Sequence, residues 1–241
     1  MTPTGSPTAL ITDVPAAVLA VYAHPDDPEI SCGGALARWA AAGAEVRLVV
    51  VNAGDKGSHD PDTDPVALTR RRAGEVDAAA AVLGLAGVDR LGLPDGEVTN
   101  DVALRGRLVG LVRAYRPDIV VFPDPTAVFF ADTYVNHRDH REVGWATLDA
   151  VAPAAGSPLY FPGTGDPHQV PLALLSGTLA PDAWVDVTDV VDRKVAAVQC
   201  HESRVGGNPA EVGELVRART AETGAALGVG HAEGFRRLRL A

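Results

Sequence analysis

The 241-residue chain has little cysteine, methionine or aromatic side chain: two Cys, one Met and 5% Phe, Trp and Tyr. Cys32 and Cys200 lie far apart and in no Cys-x-x-Cys pattern, which argues against a disulfide scaffold and predicts reduced thiols in a cytoplasmic protein. Basic residues are also scarce, with 21 Lys and Arg against 31 Asp and Glu and a formal charge of −10. Neither a phosphate backbone nor an anionic lipid surface gains general attraction from such a chain, so no nucleic-acid partner is expected. No apolar run approaches the roughly 18 residues of a membrane span, and no basic segment leads into an apolar one near Met1. The glycine fingerprint of dinucleotide sites is missing as well. Gly33-Gly34 comes too late after the first apolar run and lacks the spacing, so no NAD(H) affinity is expected.

What is present is ordinary globular material, 46% hydrophobic and 22% charged, expected to form one domain over residues 1–241 with 1–15 as a flexible N-terminal segment. Apolar runs at 16–23, 46–51, 89–93 and 118–122 alternate with helical spacing at 27–42, 65–83 and 102–115. Within 65–83, Leu68, Val76, Ala79, Ala80 and Leu83 recur on one face. Strand and helix alternating at these lengths predict an α/β fold, a Rossmann-like, mostly parallel sheet with helices on both faces. Two long irregular stretches follow, 123–136 with Phe129, Phe130 and Tyr134, and the Pro- and Gly-rich 153–171. Both are candidate binding loops on a rigid scaffold. A helix over 137–151 separates them; strands at 172–175, 183–187 and 235–240 and helices at 190–203 and 209–227 complete the chain.

The chemistry concentrates in His24-Pro25-Asp26-Asp27-Pro28-Glu29, just after the first apolar run. Parallel sheets bind ligands outside the carboxyl ends of their strands, where this segment falls. An imidazole with two adjacent carboxylates suits Zn²⁺ or a similar divalent ion. The same residues also read as a helix start, with Asp27 at the N-cap and Pro28 in the first helical position. A second cluster, Asn136-His137-Arg138-Asp139-His140-Arg141, follows the fourth strand and places His137 and His140 on one helical face. Either cluster alone has a bland explanation. At successive strand ends of one sheet, the two together supply three metal ligands and spare acid–base groups, the inventory of an open catalytic zinc site.

These residues resemble the PIG-L/LmbE family of zinc-dependent N-deacetylases, which includes mycothiol- and bacillithiol-pathway enzymes. The likeness covers most of residues 18–204 and takes in Gly33-Gly34, Arg72-x-x-Glu75, Leu93-Pro94-Asp95-Gly96, Lys194-x-x-Ala197 and His201-x-Ser203. Arg138 stands where many members have Pro, and Arg204 where many have Gln, departures that bear on the substrate more than on the reaction. The resemblance implies His24, Asp27 and His140 as ligands of Zn²⁺, with Fe²⁺ as the alternative ion. It implies Asp26 as general base, His137 as oxyanion stabiliser or general acid, Asp139 as the residue that steers that histidine, and Arg72 and Asp95 as substrate contacts. The activity implied is removal of an N-acetyl group from an amino sugar or an N-acetylglucosaminyl conjugate, a small-molecule substrate. An amidase for larger N-acyl glycoconjugates and a non-catalytic sugar-binding relative are the alternatives, and the intact His and Asp set speaks against the second. A homo-oligomer is compatible with the sequence.

Other residues carry plainer expectations. Arg72 with Glu75 also reads as a surface ion pair, and Asp95-Gly96 as a turn. Asp55, Lys56 and Gly57 are candidates to line the same crevice, and His201 is assigned packing or support. His59, His168 and His231 read as solvated, and Trp39, Trp145 and Trp184 as core.

Overall fold

In the computed structural model, which describes residues 9–240, an eight-stranded sheet carries helices on both faces. The chain runs β1 (Ala9–Leu10), β2 (Ala17–Tyr22), α1 (Asp27–Ala41), β3 (Glu45–Asn52), α2 (Pro65–Leu83), β4 (Gly87–Leu93), α3 (Val102–Tyr115) and β5 (Ile119–Pro123). A short hairpin of β6 (Phe129–Phe130) and β7 (Tyr134–Val135) leads to α4 (Arg138–Asp149) and a π-helical turn at Ala150–Ala154. Then come β8 (Leu172–Ser176), β9 (Ala183–Asp186), α5 (Val191–Gln199), α6 (Glu202–Val205), α7 (Pro209–Ala225) and β10 (Ala232–Arg239).

The strand order is β1-β9-β10-β8-β5-β2-β3-β4. Every pairing is parallel except the two made by β10, which lies antiparallel between β8 and β9. β2 is central because its run Ala-Val-Leu-Ala-Val-Tyr is apolar on both faces. Val18, Ala20 and Tyr22 pack with Leu36 and Trp39 of α1, while Leu19 and Val21 pack with Leu108 and Val112 of α3 and Val143 of α4. A strand with no polar face can only be stable between two helical layers. After β4 the chain crosses back to the other side of β2 to form β5, so α1 and α4, which follow these two strands, leave on opposite faces. That reversal opens a crevice at the carboxyl ends of β2 and β5.

Local chemistry sets the helix ends. Asp64 caps α2 by accepting from Val66 N, Pro65 opens it, and Gly84 closes it at φ +79°. Helix α1 is kinked at Cys32, whose φ is −144°. The kink leaves the Gly34 and Ala35 amides free to donate to the Glu233 carboxylate at 2.9 and 2.7 Å, and Lys194 Nζ closes the buried group at 2.6 Å. A Cβ on Gly34 would stand 2.8 Å from Val187, so only glycine lets α1 come this close to the end of β9.

Several expectations are corrected. Part of the N-terminal segment is ordered: Ala9–Leu10 pairs with Ala183 and Trp184, and Ile11 N donates to Trp184 O, while residues 1–8 lie outside those described. The helix expected over 190–203 breaks after Gln199 into α5 and α6. His168 and His231 are held, by Pro117 O and Thr220 Oγ1 respectively, and Trp145 lies on the surface at 41% exposure.

Candidate metal centre and active site

Three side chains from two strand ends meet in the crevice. His24 follows β2, Asp27 opens α1, and His140 sits in the first turn of α4. His24 Nδ1 lies 3.1 Å from Asp27 Oδ2 and 3.1 Å from His140 Nε2, which is itself 3.2 Å from Asp27 Oδ1. Hydrogen bonds behind the site fix the tautomers. Asn136 Nδ2 donates to Ala127 O at 2.7 Å, which turns Asn136 Oδ1 toward His140 Nδ1 at 2.8 Å. His140 must carry its proton on Nδ1, leaving a bare lone pair on Nε2. His24 Nε2 likewise faces Asp95 Oδ1 at 3.1 Å, so when the ring is neutral its Nδ1 lone pair also points inward. Two imidazole lone pairs and a carboxylate converging at 3.1–3.2 Å repel one another unless a positive charge lies between them. The donor set therefore fits a divalent cation of the zinc or iron type.

Electrostatics agree. Burial works against charge on His24, yet Asp27 and Asp95 outweigh it and push its pKa up to about 10. Burial would raise Asp27, but the facing His140 and His24 hold its carboxyl well below the usual range. The position attracts positive charge from whatever source. A second grouping, His24 with Asp95 and His137, shares His24 but is a weaker candidate, because its His24–Asp95 edge is an ordinary hydrogen bond.

Asp26 lies beside this centre rather than in it. Asp26, and not Asp27 as expected, is the N-cap of α1, held at φ +100° and ψ −27°, a conformation that costs a side-chain residue about 1–3 kcal/mol. Arg72 holds the turn in place. Its Nη2 donates to both Pro25 O and Asp26 Oδ1 at 2.9 Å, and Nη1 donates to Gly54 O at 3.1 Å. A Cβ at Gly54 would run into that guanidinium. Burial and the adjacent Asp27 raise the Asp26 pKa to about 6, against the opposing pull of Arg72. A carboxylate poised near neutrality, on the wall of a cleft, is what proton transfer requires.

His137 is the N-cap of α4, and its Nδ1 accepts from Asp139 N at 3.1 Å. Nδ1 is thereby occupied as an acceptor, so the ring is neutral and its proton sits on Nε2. Burial and the neighbouring His24 lower its pKa in the same sense. The Asp139 carboxylate does not reach His137. It accepts from Asn52 Nδ2 at 3.1 Å and Gly96 N at 2.8 Å and lies 3.7 Å from His24 Nε2, so the histidine it can steer is His24.

The remaining residues divide into walls and supports. The crevice is a cleft of about 1030 Å³ whose lining includes Lys56, Gly57, Arg72, Asp95, Phe130, Tyr134, Arg204 and Arg219. Asp55 stays behind the wall, its Oδ1 accepting from Asp95 N. Arg72 is buried, with its donors turned inward on the Asp26 turn, and Glu75 pairs instead with Arg71 and with Ser203 N and Oγ. His201, fully buried, stands 3.1 Å from the equally buried Glu29 behind that turn. Asn52 is not singled out in the sequence, and Asn136 is named in the second cluster without a role, because asparagines at strand and loop ends are ordinary turn residues. The only signal was their position next to the motif histidine and β3.

The fold and this centre define a class: a doubly wound α/β protein with a two-histidine, one-aspartate cluster able to hold a cation at the switch point of its sheet. The chain belongs to the PIG-L family, described as GlcNAc-PI de-N-acetylase, whose model matches residues 19–151. It is 32% identical to the diacetylchitobiose deacetylase of Thermococcus kodakarensis, an alignment covering 91% of this chain and 82% of that one. It is 34% identical to a 1D-myo-inositol 2-acetamido-2-deoxy-alpha-D-glucopyranoside deacetylase of Saccharopolyspora erythraea, over 63% of this chain and 61% of the other. Among solved structures, the N,N'-diacetylchitobiose deacetylase of Pyrococcus horikoshii, complexed with its inhibitor MPG, superposes with a TM-score of 0.85 at 27% identity. That match covers 95% of this chain and 88% of that chain.

Proposed function

We propose that this protein is a metal-dependent hydrolase that removes the acetyl group from an N-acetylglucosamine-containing small molecule. The observation that carries the reading is the convergence of His24 Nδ1, His140 Nε2 and Asp27 at 3.1–3.2 Å with the poised carboxylate of Asp26 beside them. The names of the relatives, deacetylases of diacetylchitobiose and of an N-acetylglucosaminyl inositol, support the substrate class.

His24, Asp27 and His140 would hold the ion, with Zn²⁺ favoured by the nitrogen-rich set and Fe²⁺ the alternative. When bound there, a divalent ion supplies Lewis acidity for an amide carbonyl and lowers the pKa of water toward roughly 7. Asp26 takes the proton from the attacking water and returns it to the amide nitrogen as the C–N bond breaks. Its pKa of about 6 lies near the working pH, so both transfers are accessible to it. Arg72 keeps that carboxylate ionised and aimed, a positioning role in place of the substrate contact expected from sequence. His137 donates from Nε2 to the carbonyl oxygen as negative charge develops, and being neutral it needs no proton exchange to do so. Asp95 and Asp139 orient His24, and the edge of Asp95 on the cleft also leaves it in reach of a sugar hydroxyl. Phe130 and Tyr134 offer faces on which a sugar ring can stack.

Cys32 and Cys200 are free thiols, in keeping with a reducing, cytoplasmic setting, and no described helix is long and apolar enough to cross a membrane. The test is acetate release from N-acetylglucosamine and N,N'-diacetylchitobiose by Zn²⁺- and Fe²⁺-loaded protein. Release above the metal-free background is expected with at least one ion, and none with either would refute the reading.

A further inference from the structure

We infer that the cleft contains a subsite for a negatively charged group, a carboxylate or phosphate on the moiety attached to the amino sugar, recognised by Arg204 and Arg219. The inference rests on the deacetylase reading and narrows its substrate class. Four cationic side chains line the cleft: Lys56, Arg72, Arg204 and Arg219. Two are committed. Arg72 is bound to Pro25, Gly54 and Asp26, and Lys56 donates to Asp95 O and Glu97 Oε1 at 2.6 Å each.

The other two are not. The Arg204 side chain is 61% exposed, and among the described residues its only ion-pair contact is a 3.5 Å approach of Nε to Asp26, whose carboxylate already holds Arg72 at 2.9 Å. Arg219 has no side-chain hydrogen bond or ion pair among the described residues, whereas its neighbour Arg217, also on α7, pairs with Asp192. Of the cationic side chains that line the cleft, these two alone lack a strong partner among the described residues. Two guanidinium groups left without a strong partner in one cleft wall are therefore available to a ligand. Their planar donor forks match carboxylate and phosphate oxygens in particular.

Charge also dictates where such a group can sit. In the metal-free protein Asp26, Asp27 and Asp95 crowd the catalytic end of the cleft and disfavour an anion there, and in the loaded protein the acetamido group competes for that end. The α6–α7 wall carries positive charge and no lining carboxylate, so the acetamido group goes to the centre and the anion to the arginines. The cleft, at about 1030 Å³, has room for a sugar and a substituent together.

The experiment compares three N-acetylglucosaminides, the neutral methyl, the carboxymethyl and the 1-phosphate, by calorimetric binding to metal-free protein and by kcat/KM on metal-loaded protein. Both charged compounds are expected to bind at least tenfold more tightly than the methyl glycoside, the scale of one charge-assisted contact. That ratio should collapse toward one in Arg219→Gln, recover only in part in Arg219→Lys, which keeps the charge but not the fork, and shrink as salt rises. Preference for only one charged compound assigns the subsite to carboxylate or to phosphate. Equal binding of all three, or a ratio unchanged in Arg219→Gln, overturns the subsite. Acetate release without charge preference would sink this inference and leave the deacetylase reading intact. A charge preference in binding without acetate release would do the reverse.

Discussion

Two irregular segments that look alike in sequence behave in opposite ways. Residues 123–136 and 153–171 are both long, proline-containing and aromatic, and both are candidate binding loops. The first folds back as the β6–β7 hairpin, presents Phe130, Thr133, Tyr134 and Asn136 to the cleft, and hands the chain to His137 and His140. The second contributes nothing to the cleft lining. It is wrapped around one buried side chain, Arg113 of α3, which donates to the carbonyls of Ala154, Ala155, Ser157, Tyr160 and Phe161 and to Thr164 Oγ1. Buried polar groups that satisfy each other hold a fold together. Those that converge acceptor on acceptor, as His24, Asp27 and His140 do, await something else.

The largest expected effect falls where the first loop delivers its histidine. His140→Ala and Asp27→Ala each remove one of the three proposed ligands, so metal content measured after dialysis should drop well below one per chain and activity should be lost. Excess Zn²⁺ should partly restore Asp27→Ala. Full occupancy in either variant would break the ligand assignment. Next comes Asp26→Asn, which should keep its metal and lose about 10²- to 10⁴-fold in kcat, the usual range for a general acid–base. If it empties the site instead, the two aspartates have exchanged roles.

Arg113→Met sharpens the contrast from the other side. It strands several buried carbonyls and should cost at least about 3 kcal/mol of stability in denaturant unfolding. Metal affinity and kcat, measured below the lowered midpoint, should change less than about twofold; a large kcat loss would show that the second loop serves the chemistry after all. Smaller still is the pH effect. The base must be ionised, and burial with the Asp27 charge raises Asp26 to about 6, so kcat/KM should fall as pH drops through that value. Arg72 pulls the Asp26 pKa down, and its removal in Arg72→Leu should move the acid limb upward. A limb that stays in place would separate Arg72 from Asp26. The smallest effect is expected for Tyr134→Ala, a few-fold rise in KM with kcat retained, reflecting one lost stacking face on the exposed hairpin.

Much of this was legible in the sequence for a simple reason. Strand and helix periodicity are local, and a strand such as β2, apolar at every position, can only lie in the middle of a layered sheet. The motif residues likewise sit within a few positions of the strand ends that the sheet must align, so His24, Asp26, Asp27, His137 and His140 could be named together before any coordinates. Short-range capping was less secure. The N-cap moved from Asp27 to Asp26 because Arg72, 46 residues on, binds the turn and stabilises a backbone conformation that local preference disfavours.

What the sequence by itself determined is the layered α/β fold, the two polar clusters and their chemistry as hard and borderline ligands. What only the tertiary structure decided is which atom of each residue faces inward. Nδ1 of His24 and Nε2 of His140 face inward because Asp95 and Asn136 occupy the opposite nitrogens, and Asp139 meets His24 rather than the histidine two positions before it. Arg113 binds a loop 41 to 51 residues away, and Glu233 caps a kinked helix 198 and 199 residues before it. Such partnerships depend on hydrogen-bond directions between distant segments, and no spacing along the chain encodes a direction in space.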